Sequence, residues 1–167
     1  MTEIRLATNH DGDQISELIA KVFAEYPGCV FDRAAEFPEL DAIADDFAPQ
    51  GAIWVAENAD GQIIGCLGIK LSDDQTVAEL HKVYLDKSSR GQGLAQRLLV
   101  HARDWLLAQY PACQELVLWT DTRFVAGHHF YRKCGFIETG QSRTLDDLSK
   151  SAELAFRAEP AMVLAAA

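Results

Sequence analysis

The chain has 167 residues, 49% hydrophobic and 24% charged, with 25 acids against 15 bases and a formal charge of −10. At about 150 residues per domain this length suits a single domain over 1–167, and the composition lies far from that of a disordered chain. All the excess charge falls in residues 1–60, where 13 acids meet three bases (Arg5, Lys21 and Arg33). That sign excludes nucleic acid as the expected partner, because binding there depends on cations displacing counterions from phosphates. It suits either a cationic partner or the solvated faces of helices. No run of 18 apolar residues offers a membrane span, and the opening MTEIRLATNHDGDQ lacks the basic flank and apolar stretch of a signal peptide. Cys29, Cys66, Cys113 and Cys134 have neither zinc nor disulfide spacing, which predicts reduced structural thiols, no metal and a cytoplasmic protein.

Residues 3–7, EIRLA, predict a short strand. Asp11 to Asp13 offers a capping region for a helix whose Ile15, Leu18, Ile19, Val22 and Phe23 recur on one face, stopped by Tyr26-Pro27-Gly28. The acid-rich stretch from Gly28 to Gln50 reads as a loop with a short helix near Leu40–Phe47. AIWVAEN (52–58), an Asp60-Gly61 turn and QIIGCLGIK (62–70) predict a hairpin, and TVAELHKVYL (76–85) a further strand. A helix from Gly93 to Gln109 turns Leu94, Leu98, Leu99, Ala102, Trp105 and Leu106 inward and ends at Tyr110-Pro111. A buried strand (115–120), a helix (124–133) and two weaker strands near 135–141 and 153–164 complete the order. Antiparallel neighbours first and a β-α-β unit later imply an α+β (α/β) sheet with helices on both faces.

The informative segment is KSSRGQGLAQRLL, residues 87–99. Arg90, Gly91, Gly93 and Ala95 lie between a strand and the first turn of an apolar helix. Small residues let a ligand approach the main chain, and the unpaired first N–H groups of the helix make an anion site suited to a pyrophosphate. Arg90 adds a charged planar fork. A dinucleotide fingerprint would need a third glycine where Gln96 stands, and a P-loop would need a G-K-[ST] ending. Neither is present.

R-G-Q-G-L-A fits the R/Q-x-x-G-x-G/A signature of the GNAT N-acetyltransferase superfamily, with Arg90, Gly93 and Ala95 in the defining places. AELHKVYLD resembles that family's fourth strand, HHFYRKCGF (128–136) its A-x-x-F-Y-x-x-x-G-F segment, and IRLATNHDGDQISELI its usual opening. LWTDTRF also resembles acetyltransferase domains fused to MarR-type regulators. The resemblance implies a GNAT-like mixed, mostly antiparallel sheet of six to seven strands, with strands 4 and 5 splayed around acetyl-CoA as cosubstrate. Val83, Tyr84 and Leu85 would pair with the pantetheine arm, and Arg90, Gly91, Gln92, Gly93, Leu94 and Ala95 would cradle the pyrophosphate. An N–H of the splayed strand would face the thioester carbonyl. The acceptor it implies is a small-molecule or peptide amine, and homodimers are common in the family.

An alkylamine is protonated at pH 7 and needs a base before it can attack. Glu79 matches the place where several family members carry a catalytic glutamate, and strict alternation sets it on one face with His81, Val83 and Leu85. A bulge would break that phase and bring His81 forward as the second candidate. Glu79 could instead be a strand-edge carboxylate paired to Lys82 or Arg97. Tyr131 matches the tyrosine that protonates the departing thiolate. His128 and His129, adjacent on a helix, read as packing and surface residues. Phe124 and Gly127 stand where many members have asparagine and alanine, which leaves a module that holds CoA or acyl-CoA without turnover as the alternative.

Overall fold

The computed structural model describes residues 1–164. Seven strands, β1 (Glu3–Leu6), β2 (Gly51–Glu57), β3 (Ile63–Leu71), β4 (Val77–Leu85), β5 (Glu115–Asp121), β6 (Ile137–Thr144) and β7 (Ala152–Ala158), form one sheet in the order β1-β2-β3-β4-β5-β7-β6. Every neighbouring pair is antiparallel except β4 and β5. Those two are joined through α4 (Leu94–Gln109), the crossover that a parallel pair requires. The other helices are α1 (Gly12–Phe23), α2 (Arg33–Glu36), α3 (Ile43–Phe47) and α5 (Val125–Lys133). This is the mixed sheet the resemblance implied.

Both faces of the central strands are covered, so β2 and β3 alternate between two cores rather than between core and water. Ile53, Val55, Ile63 and Cys66 join Ile15, Leu18, Ile19 and Val22 of α1 with Ile43 and Phe47 of α3 on one side. Trp54, Leu67 and Ile69 join Leu94, Leu98, Leu99 and Leu106 of α4 with Tyr131 of α5 on the other. Gly68 belongs to the tight part of this arrangement. A Cβ there would lie 2.2 Å from the Phe47 ring, so only glycine lets α3 seat on β3.

Two expectations need correction. The Gly28–Gln50 stretch contains α2, a 3-10 turn at Pro38–Ala42 and α3, with only the last part matching the expected helix. The final strand stops at Ala158 rather than 164, because Pro160 cannot donate to a ladder and opens another 3-10 turn.

Candidate active site

The site begins where the sheet comes apart. β4 and β5 pair only through Val77, Ala78 and Glu79 opposite Glu115, Leu116 and Val117, after which β4 continues to Leu85 and β5 to Asp121 without partnering each other. On its other side β4 carries a bulge: Gly68 faces His81 and Cys66 faces Tyr84, so two steps on β3 span three on β4. Lys82 supplies the extra residue with φ +56°. Strict alternation therefore fails after His81.

Two cavities open at the split and share Val83, Tyr84, Thr120, Phe124 and Tyr131. The first, about 300 Å³, is largely apolar and runs past Leu85, Arg90, Gly91 and Ala95 between β4 and α5. Gly91 (φ +76°) and Gly93 (φ +78°) sit in the left-handed region, and a Cβ on either would meet nothing within 4 Å. Gly93 opens α4 without a side-chain cap, so the first amides of a 16-residue helix are left for an anion. The open main chain and positive helix end suit an anionic group, and the channel beyond is apolar.

The second cavity, about 360 Å³, is polar at one side and aromatic at the other. Glu36, Glu79, Asp121, Asp147 and Glu153 line it together with only two formal cations, Lys82 and Arg143. Both cations are already paired within the chain, Lys82 with Glu39 at 2.6 Å and Arg143 with Glu153 at 2.8 Å. Asp121 is held by the Arg123 fork at 2.7 and 2.9 Å. Burial pushes its carboxyl up, yet the Arg123 bonds outweigh this and leave it below its ordinary range. Glu36 and Asp147 accept from backbone amides, those of Leu148 and Ser151, and among the described residues neither forms an ion pair. The cavity is therefore net anionic, walled by Phe23, Phe37 and Trp119.

Residues 15–136 match the Acetyltransferase (GNAT) family. The chain belongs to the GNAT acetyltransferase family. Peptidyl-lysine N-acetyltransferase YjaB of Salmonella typhimurium is 31% identical over 112 residues, 67% of this chain and 68% of that protein. Aminoglycoside N(6')-acetyltransferase type 1 of Stenotrophomonas maltophilia is 29% identical over 97 residues, 54% of this chain and 62% of that one. Among solved structures, a GNAT acetyltransferase from Staphylococcus aureus superposes with a TM-score of 0.81 at 20% identity, covering 96% of this chain and 99% of the other. This GNAT chain is thus an acyltransferase by family, on a GNAT fold.

Within the GNAT frame the expected residues divide. Leu85, Arg90, Gly91 and Ala95 line the apolar cavity, Glu79 and His81 the polar one, and Val83, Tyr84 and Tyr131 both. The Arg90 guanidinium does not point at an open anion site; it pairs with Glu25 at 2.6 and 2.8 Å and donates to the Leu85 carbonyl. Gln92 donates to the Ser88 carbonyl, and the Leu94 side chain is buried in the core; neither lines the apolar cavity. Glu79 does not pair with Lys82 or Arg97. Its Oε2 lies 2.7 Å from Nε2 of His81, which holds the carboxyl below its ordinary range. Tyr131 is 7% exposed, and burial raises its hydroxyl well above the usual phenol. His128 is buried with Nε2 2.9 Å from the Asp121 carbonyl and His129 is exposed, as expected of packing and surface residues.

Sequence reasoning missed the polar wall. Asp121, Asp147, Ser149 and Glu153 come from β5, the β6–β7 loop and β7, with no common spacing to betray them. Phe124 looked only like a departure. It lines both cavities and packs on Tyr26 with ring centroids 4.7 Å apart, closing α5 against the end of α1. The run of aromatics from Phe23 to Phe37 was the available signal for the apolar wall.

Proposed function

We propose that this chain transfers the acetyl group of acetyl-CoA to a primary amine of a small molecule or peptide, by direct attack in a ternary complex. The observation that carries this reading is the junction of the two cavities at Val83, Tyr84, Thr120, Phe124 and Tyr131. A donor entering along the apolar cavity and an amine entering along the anionic one would meet there. Acetyl-CoA supplies an activated thioester. The amides of residues 91–95 bind its diphosphate, the free edge of β4 holds the pantetheine arm, and an N–H near Val83 stabilises the oxyanion. Losing such a donor typically costs about 2.7–4 kcal/mol of transition-state stabilisation. Tyr131, kept protonated by burial, delivers a proton to the departing sulfur.

The unbalanced carboxylates Glu36 and Asp147 favour a cationic acceptor. Relatives and structural neighbours named for peptidyl-lysine, aminoglycoside and spermidine acetylation support an amine of this kind. The test is thiol release from acetyl-CoA in the presence of a lysine peptide, an aminoglycoside and spermidine, with CoA binding measured calorimetrically. Acetylated product from any of them is expected. Absence of CoA binding at millimolar concentration would end the proposal.

A further inference from the structure

The two candidate bases on β4 are one unit. Glu79 and His81 project into the same cavity ahead of the bulge, with Oε2 and Nε2 at hydrogen-bonding distance, 2.7 Å. Both side chains are about one-third exposed, so each reaches solvent and ligand while remaining packed. The imidazole is braced as well as paired. Its ring stands edge-on to Phe47, 6.4 Å between centroids, and Phe47 is itself seated on Gly68 opposite His81 in the ladder.

An ionised carboxylate only accepts hydrogen bonds. At 2.7 Å the anionic carboxylate favours a proton on Nε2 over a lone pair there. In the neutral ring that leaves Nδ1 as the basic nitrogen. A carboxyl held below its ordinary range is in turn a poor final proton acceptor. We propose that the proton of the attacking amine is taken by Nδ1 of His81, and that Glu79 is a positioning residue that fixes the imidazole tautomer and stabilises the imidazolium. This assignment rests on the acetyl-transfer reading and reverses the expectation that the glutamate is the base.

The proton balance is complete. The acceptor ammonium gives one N–H proton to Nδ1, and the freed lone pair forms the C–N bond. The C–S electron pair then leaves on sulfur, Tyr131 protonates the thiolate, and the extra proton carried by the adduct's nitrogen restores Tyr131, leaving the amide with one N–H. His81 releases its proton to solvent. The cations around this pair are neutralised within the chain: Lys70 of β3 by Asp46 of α3 at 2.7 Å, Lys82 by Glu39 at 2.6 Å, and Arg143 of β6 by Glu153 of β7 at 2.8 Å, while Glu36, Asp121 and Asp147 line other parts of the same cavity. Glu79 is thus the charge in direct contact with the imidazole.

The experiment uses the whole chain with saturating acetyl-CoA and spermidine or a lysine peptide as acceptor, across pH 5.5–9. H81Q should lower kcat at least 100-fold and abolish the ascending limb of the pH profile. E79Q should lower kcat about 5- to 50-fold and keep that limb. Long-range ¹H–¹⁵N spectra of histidine-labelled protein, with the His81 signal assigned by its loss in H81Q, should show one tautomer in the parent and a mixture in E79Q. An E79Q protein without the limb, beside an H81Q protein retaining most activity, overturns the assignment in favour of the glutamate. Unchanged imidazole signals in E79Q overturn the positioning role, with or without turnover. A parent that binds CoA yet acetylates neither acceptor overturns the reaction reading and the base role together.

Discussion

Replacing Tyr131 by phenylalanine isolates one atom at the junction of the cavities. The ring packs on Phe130, Phe136 and Phe156 at centroid distances of 5.5–6.0 Å, and all of that packing survives the change. Among the described residues no hydrogen bond shifts the hydroxyl's affinity for its proton; burial is the main influence and keeps it protonated throughout the working pH range. Stability should therefore change by no more than about 0.5 kcal/mol. The catalytic loss is bounded from the other side by the leaving group. A positioned acid is typically worth about 10²–10⁴-fold, but a thiol with an ordinary pKa of about 8.5 leaves well unaided. We expect kcat at pH 7 to fall about 10- to 100-fold, or about 1.4–2.7 kcal/mol. The deficit should shrink above pH 9, where the thiolate no longer needs a proton. Thiol release measured from pH 6 to 10, with a melting curve for each protein, tests this. A Tyr131→Phe protein with parental kcat at pH 7 and parental Tm would refute the role of the hydroxyl.

Three further outcomes follow from particular contacts. Asp11 is buried beside Arg5, whose guanidinium outweighs the cost of burial and holds the carboxyl below its ordinary range. Its contribution to stability is complete above the unfolded value of about 3.9 and is lost as pH falls through the lower folded value. The drop in Tm between pH 6 and pH 3 should accordingly be smaller in Asp11→Asn than in the parent. Gly68→Ala should displace Phe47, destabilise by about 1–3 kcal/mol and lower Tm by about 3–9 °C in a thermal melt. Glu25→Gln releases the Arg90 fork from its present partner, so calorimetry should find CoA bound about two- to fivefold more tightly; an unchanged Kd would mean that the Leu85 carbonyl alone holds the guanidinium away from the phosphates.

The long elements were legible because their own sequence dictates them. α1 and α4 repeat apolar residues at helical spacing, and the hairpin of β2 and β3 turns at Gly61 with φ +77°. α2 and α3, with four and five residues, have no such autonomy. Asp32 caps α2 locally through the Ala35 amide, but α3 begins on a side chain from elsewhere: Oδ1 of Asn9 accepts from the amides of Ala44 and Asp45. No window of sequence around residue 43 contains that information. Likewise, the partner of Arg90 is Glu25, 65 residues earlier, which is why the loop could be recognised while the direction of its arginine could not.

The site depends most on a feature with no sequence mark. Turns at Gly91 and Gly93 are visible because glycine is the residue that tolerates positive φ; the bulge on β4 places Lys82 in that region instead, where an L side chain costs roughly 1–2 kcal/mol. Tertiary contacts hold it there, since the ammonium of Lys82 pairs with Glu39 and lies 5.1 Å from the centre of the Phe37 ring. Without the extra residue, Glu79, His81, Val83 and Leu85 would all face one way. With it, Glu79 and His81 serve only the anionic cavity, Leu85 only the apolar one, and Val83 and Tyr84 border both. On the proposed function, a single strand would then present a proton acceptor to one ligand and a backbone edge to another. The cost of one strained residue is offset by bringing the two cavities to a common point, and under the acetyl-transfer proposal a donor held at Gly93 would reach the amine there because β4 changes face between them.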